Sequence, residues 1–211
     1  PAAVRRLEAG VHDLARARLA VVGRPQVDVE HPGPTLPEDS RTVVLYAPTW
    51  EGDRPSNSYS SVASHGEAAV GALLASGRHR VIYRPHPRTG QESREVARAS
   101  RRIARAIEAA NRRDPTARHV VDLGSPFGWQ LAAAHVCLTD ISAAAYDWAA
   151  TGKPLLLTEP VAREAWVDPD GIAGAVPLVR ADEAHDVVAQ VDALGEEGAG
   201  DRYAALVRDH F

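Results

Sequence analysis

Val136-Cys137-Leu138-Thr139-Asp140-Ile141-Ser142-Ala143-Ala144-Ala145-Tyr146-Asp147-Trp148-Ala149-Ala150-Thr151-Gly152-Lys153-Pro154-Leu155-Leu156-Leu157 decides the fold. An apolar run leads into a loop, a serine opens an alanine-rich helix, a Gly-Lys-Pro turn closes it, and a second apolar run follows. Strand, loop, capped helix, turn and strand make one parallel-sheet unit, with the helix start at the carboxyl edge of the sheet. Unpaired N–H groups and the positive end of the helix dipole gather there, so the loop reads as an anion site.

Outward from this unit, strands and helices take turns. Residues 42–47 form a compact β-branched run that stops at Pro48, and 80–83 another that stops at Pro85. Shorter strands are expected at 119–121, 135–138, 155–157 and, more weakly, 175–179, with one at 20–22 before the sheet proper. Helical periodicity predicts helices over 4–19, 62–76, 91–111 and 182–194, and again over 203–210. Ser125-Pro126 resembles a cap followed by proline at the first helical position, introducing a helix to about residue 134. Residues 23–40 are rich in proline, glycine and acid and read as a surface connection. The fold class is therefore α/β: a doubly wound, Rossmann-like parallel sheet with helices on both faces, over residues 41–211. Residues 1–40 supply an N-terminal helix and an inter-domain connection.

Composition narrows the function classes. The 211 residues are 45% apolar and carry a net charge of −4, with basic residues spread along helices, so neither a nucleic-acid footprint nor a polybasic anchor is expected. The single cysteine, Cys137, lies in an apolar run and reads as a buried, inert thiol. No stretch is long and apolar enough to span a membrane and no signal peptide opens the chain, so a cytoplasmic location is expected. A start at Pro1 and the lack of methionine suggest an excerpt of a longer protein. The histidines have no metal-ligand spacing, so neither a metal nor a cofactor is expected.

In such sheets ligands sit outside the carboxyl ends of the strands. Three loops meet there: Pro48-Thr49-Trp50-Glu51, Arg84-Pro85-His86-Pro87-Arg88, and Thr139-Asp140-Ile141-Ser142. Two prolines stiffen His86 and two arginines flank it, which suits phosphate; the imidazole would act as acid, base or hydrogen-bond donor, or simply tie down the loop. Ser142 caps its helix or contacts phosphate. Asp140 and Asp147 accept ribose hydroxyls or favour the helix start. Trp50 stacks on a base or fills the rim. Lys153 meets phosphate or answers a helix dipole.

These residues, with Gly23-Arg24-Pro25-Gln26-Val27-Asp28 and Lys153-Pro154, resemble the CDP-glycerol glycerophosphotransferases, which build and prime teichoic acid chains on a two-domain GT-B scaffold. The resemblance implies the C-terminal, donor-binding half of such an enzyme. Its partners would be CDP-glycerol or another nucleotide-diphosphate donor and an acceptor domain upstream, in a full-length protein that would lie peripherally on the inner face of the cell membrane. His86 would be catalytic, assisting as CMP leaves. Pro48, Thr49, Trp50, Arg84, Arg88, Thr139, Asp140, Ser142, Ala143 and Asp147 would hold the donor. Ile141 and Ala143 stand where the family often has tyrosine and a second serine, removing a hydroxyl. Alternatives are a UDP-sugar epimerase or glycosyltransferase of related fold, and a non-catalytic nucleotide-binding module. The isolated chain is expected to be inactive.

Overall fold

The computed structural model describes residues 2–10, 18–20, 22, 25–29, 31–197, 203, 207 and 208. Helix α1 (Ala2–Gly10) precedes an irregular connection, in which Pro25–Val27 make one tight turn. Six strands follow: β1 (Thr42–Ala47), β2 (His79–Tyr83), β3 (Val120–Val121), β4 (Val136–Thr139), β5 (Leu155–Thr158) and β6 (Leu178–Val179). All neighbours are parallel, in the spatial order β3-β2-β1-β4-β5-β6. Between them run α2 (Glu67–Ala75, after a wide turn at Val62–Gly66), α3 (Arg94–Arg113), α4 (Trp129–Ala133), α5 (Ala143–Ala149), α6 (Ile172–Ala175) and α7 (Val187–Glu197).

Alternation along β1 sends Val44 and Tyr46 to one face and Val43 and Leu45 to the other. The first face is covered by α2, α3 and α7 through Val70, Leu73, Ile103, Ile107 and Val191. The second is covered by α4 and α5 through Leu131, Ala145 and Trp148, with Cys137 buried among them. Both faces are dry, which is why the strands read as continuous apolar runs. Burial raises the Cys137 thiol pKa well above its ordinary value, so it stays protonated. The order of strands reverses between β1 and β4, and a crevice opens outside their carboxyl ends.

The doubly wound α/β fold is as the sequence predicts; several boundaries differ. The helix expected from residue 125 begins only at Trp129, because Asp122 takes the preceding N–H groups: its carboxylate accepts from the Gly124, Ser125 and Gln130 nitrogens and from the Ser125 hydroxyl. Gly128 closes that turn at φ 149, where a Cβ would strike the His31 ring. The strand expected at 175–179 is only Leu178–Val179, with Ala175 ending a short helix. The helix expected from 182 opens as a tight turn over Ala181–Asp186 before α7. Ala20 and Val22 are not in a strand, and residue 21 lies outside the described residues. Of the helix expected at 4–19, residues 11–17 lie outside them too, as does most of 203–210 and, in the 23–28 motif, Gly23 and Arg24. Tyr203 is buried, and its hydroxyl accepts from the Leu155 N–H at 3.2 Å.

Candidate functional site at the strand carboxyl edge

The loops after β1 and β2 and the start of α5 enclose a pocket of about 200 Å³ at the reversal point, lined by Ala47, Pro48, Arg84, Pro85, His86, Pro87, Phe127, Ala144 and Asp147. Its walls are mostly proline, alanine and phenylalanine, with two cations or potential cations and one carboxylate set into them.

His86 is oriented by its own loop. The imidazole Nδ1 accepts a hydrogen bond from the Arg88 backbone N–H at 3.1 Å, and the His86 carbonyl accepts from the Thr89 N–H at 2.8 Å. An accepting Nδ1 fixes the neutral tautomer with its proton on Nε2. Burial lowers the pKa of the ring, the Arg88 and Arg84 charges lower it further, and Glu51 opposes them. Near neutral pH His86 is thus an uncharged donor through Nε2. Trp50 stacks beside it, ring centroids 6.3 Å apart and planes at 26°, and the Arg88 guanidinium lies 3.5 Å over the Trp50 ring.

Two acids that the sequence reading passed over hold this assembly. Glu51 is buried and accepts from the Gly90, Glu92 and Ser93 N–H groups at 2.9, 2.9 and 3.0 Å, locking the far end of the His86 loop and the start of α3. Burial would raise its pKa, but those donors outweigh it and leave the carboxyl below its ordinary range. Asp122, at the end of β3, accepts from Arg84 Nη1 at 3.0 Å, and the Arg84 guanidinium lies 5.5 Å from the Phe127 centroid. The Asp-x-Gly-Ser pattern at 122–125 carried a signal for this, since a short acid before glycine and serine folds their amides onto itself.

The third loop departs from expectation. Thr139 is buried and donates to the Ala47 carbonyl at 2.6 Å. Asp140 is fully buried and accepts from Thr49 N–H at 2.7 Å, Ser61 N–H at 3.3 Å and the Thr158 hydroxyl at 2.6 Å. Burial pushes its carboxyl up to about 6 against those donors. Neither side chain reaches the rim, so both position the Pro48–Trp50 loop in place of the donor contact expected of them. Ser142 sits extended at the N-cap without making a cap bond, and its hydroxyl oxygen is buried with no partner among the described residues. Ala143 is exposed at the helix start, while Asp147, nearly buried, stands on the pocket wall one turn along. Lys153 is turned away: its Nζ donates to the Leu131, Ala132 and Ala134 carbonyls, capping α4. Of the expected set, the pocket itself brings together Pro48, Arg84, His86 and Asp147, with Trp50 and Arg88 stacked at its edge.

Residues 11–160 match the family described as CDP-glycerol:poly(glycerophosphate) glycerophosphotransferase. The chain belongs to this glycerophosphotransferase family. No protein of curated function matches it in sequence. Among solved structures, the wall teichoic acid polymerase TagF superposes with a TM-score of 0.51 at 14% identity, covering 83% of this chain and 40% of that one. A TagF variant soaked with CDPG gives a TM-score of 0.51 at 14% identity, over 83% of this chain and 38% of that chain. The trehalose-6-phosphate synthase OtsA gives 0.55 at 14% identity, over 88% and 44%. At such identities the likeness is one of fold, that of a GT-B transferase domain, and this chain spans about two fifths of each of these proteins. Among the described residues no helix is long and apolar enough to cross a membrane, and no three acidic, histidine or cysteine groups are placed to hold a metal ion.

Proposed function

We propose that residues 41–211 form the donor-binding half of a glycerophosphotransferase and hold the diphosphate of CDP-glycerol between His86, Arg84, Arg88 and the start of α5. The observation that carries this reading is the fixed tautomer of His86, which lines the pocket with Arg84 and feels the charges of both Arg88 and Arg84. In the transfer, an acceptor glycerol hydroxyl bonds to the β-phosphorus and the bond from that phosphorus to the oxygen of CMP breaks. Charge grows on the departing phosphate, and a neutral Nε2–H donor with two arginine charges nearby stabilises that charge by hydrogen bonding, keeping its proton. Because Nδ1 already accepts an N–H, His86 serves as donor and not as base, so the proton of the attacking hydroxyl leaves toward the acceptor half of the parent protein.

Asp147 stands on the wall of the same pocket. A carboxylate there repels phosphate and accepts hydroxyls, which favours a ribose diol beside it. The CDPG-soaked TagF supports a cytidine donor within the family. The exposed Ala143, which offers no hydroxyl at the helix start, favours as a second reading a module that binds nucleotide without turning it over.

Calorimetry with CDP-glycerol, CDP and a UDP-sugar tests donor binding: heat with the cytidine compounds is expected, and none with any of the three overturns the reading. In the full-length protein His86→Ala should lower turnover about 10²–10³-fold, the usual cost of one lost oxyanion donor, with donor affinity nearly kept. Unchanged output would favour the non-catalytic module.

A further inference from the structure

Helix α3 carries seven arginines against two glutamates in a chain whose net charge is −4. Ser93 starts it by accepting from the Val96 N–H, and Val96, Ala99, Ile103, Ile107 and Ala110 fix its buried face. That face dictates the opposite one. Arg94, Arg98, Arg101, Arg105 and Arg112 recur at steps of four, three, four and seven, so they stand in one exposed row about 27 Å long at 1.5 Å per residue. None of the five has an ion-pair partner among the described residues; the pair that α3 makes is Arg102 with Glu67 of α2, off the row. One acid, Glu108, interrupts the row near its far end.

The row begins at the site. α3 starts directly after the loop that carries His86 and Arg88, at the carboxyl edge, and runs from there to the amino edge. Its surroundings are narrow: apart from Glu67, α2 beside it bears no charge. The exposed large apolar side chains, Trp166, Val161 and Leu123 among them, all lie on other elements. A membrane surface would be met by a broad basic patch with apolar anchors, and a single-stranded nucleic acid by aromatic stacking platforms; the row has neither. A line of cations about 4.5–6 Å apart over its first four members, with a fifth two turns on, matches a flexible chain bearing one phosphate per short linker.

We propose that the exposed arginine row of α3 is a track for a linear phosphodiester polymer of the acceptor or product type, leading to or from the His86 pocket. This rests on the proposed transfer reaction for the identity of the polymer, but not for its binding.

The test uses the full-length protein and a fluorescein-labelled glycerol phosphate oligomer, with affinity read by anisotropy across a salt series and no donor present. Arg98→Gln/Arg101→Gln/Arg105→Gln should weaken binding about tenfold or more and reduce the salt slope by about 2, as expected for three lost phosphate contacts to a single strand. The control Arg54→Gln/Arg118→Gln/Arg163→Gln removes as much exposed charge elsewhere and should change affinity less than about twofold, a surface charge off the track being worth little. Equal losses in both variants, or unaltered binding in the first, overturn the track. Binding to phosphatidylglycerol vesicles that depends on the row, with none to the oligomer, overturns it in favour of a membrane. CDP-glycerol calorimetry on the same samples reports on the pocket separately, so failure of the donor reading and failure of the track are told apart.

Discussion

The two edges of the sheet hold the same residue types and use them differently. At the amino edge Arg80 is buried and saturated, donating to the Ala117 carbonyl at 2.6 Å, the Pro37 carbonyl at 2.9 Å and Asp39 at 2.7 Å. Four residues on, at the carboxyl edge, Arg84 has one ion-pair partner and faces a pocket. His119 and His86 diverge in the same way. Both accept a backbone N–H through Nδ1, but burial and the Arg80 and Arg41 charges take His119 down to about 4 within packed structure, whereas His86 opens on the rim. The amino edge also has the larger hollow, about 810 Å³ between α2 and α3, yet Arg41, His79 and Asp114 on its wall are already bonded to protein. Donors left facing a pocket mark the candidate site, and volume alone does not locate it.

The sharpest way to break this comparison is to truncate both arginines. Arg80→Ala leaves the Ala117 and Pro37 carbonyls without their donor, while Asp39 keeps Arg41, so urea unfolding should show a loss of about 2–3 kcal/mol, the cost of leaving buried acceptors unsatisfied. Arg84→Ala should cost under about 1.5 kcal/mol of stability and instead weaken CDP-glycerol binding by about tenfold, one charged hydrogen bond. If Arg84→Ala proves the more destabilising, the division between the edges is wrong.

A pH series sharpens it at an intermediate scale. Asp140 has its folded pKa raised from 3.8 to about 6, so the folded state holds this proton where the unfolded state has lost it. Its contribution to stability is fully present below about 3.8 and is lost as pH rises through about 6. Unfolding midpoints of wild type relative to Asp140→Asn should therefore fall across that window, and a gap that is flat with pH would place the carboxyl outside the buried corner.

The smallest effect belongs to the rim stack. Arg88→Ala removes a cation from the face of Trp50 and should cost about 0.5–1 kcal/mol, with a blue-shifted or red-shifted tryptophan emission as the readout of the altered ring environment.

Local signals carried most of the fold. β1, β2 and β5 are legible because apolar runs end at Pro48 and Pro85 or begin after Pro154, and His86 is legible because two prolines flank it. What was hidden is what one residue does to another far along the chain. Asp140 answers Thr49 and Ser61, which are 91 and 79 residues away, and nothing near position 140 distinguishes an inward carboxylate from a ligand-facing one. Thr139 lies in a strand buried on both faces, so alternation gives no inside or outside. Asp122 undid the expected start of α4 by the same kind of competition for amides. The α3 row escaped a linear reading because its steps of four, three, four and seven make a line only once the helix is wound.

The single carboxyl of Asp140 joins the bend after β1, the bend after β4 and the tip of β5. Such a keystone sets the outline of the cleft from within the protein. In the proposed reaction a ligand arriving there would meet walls already in register, leaving its binding energy to act on the reacting phosphorus, since none is needed to fold the corner around it.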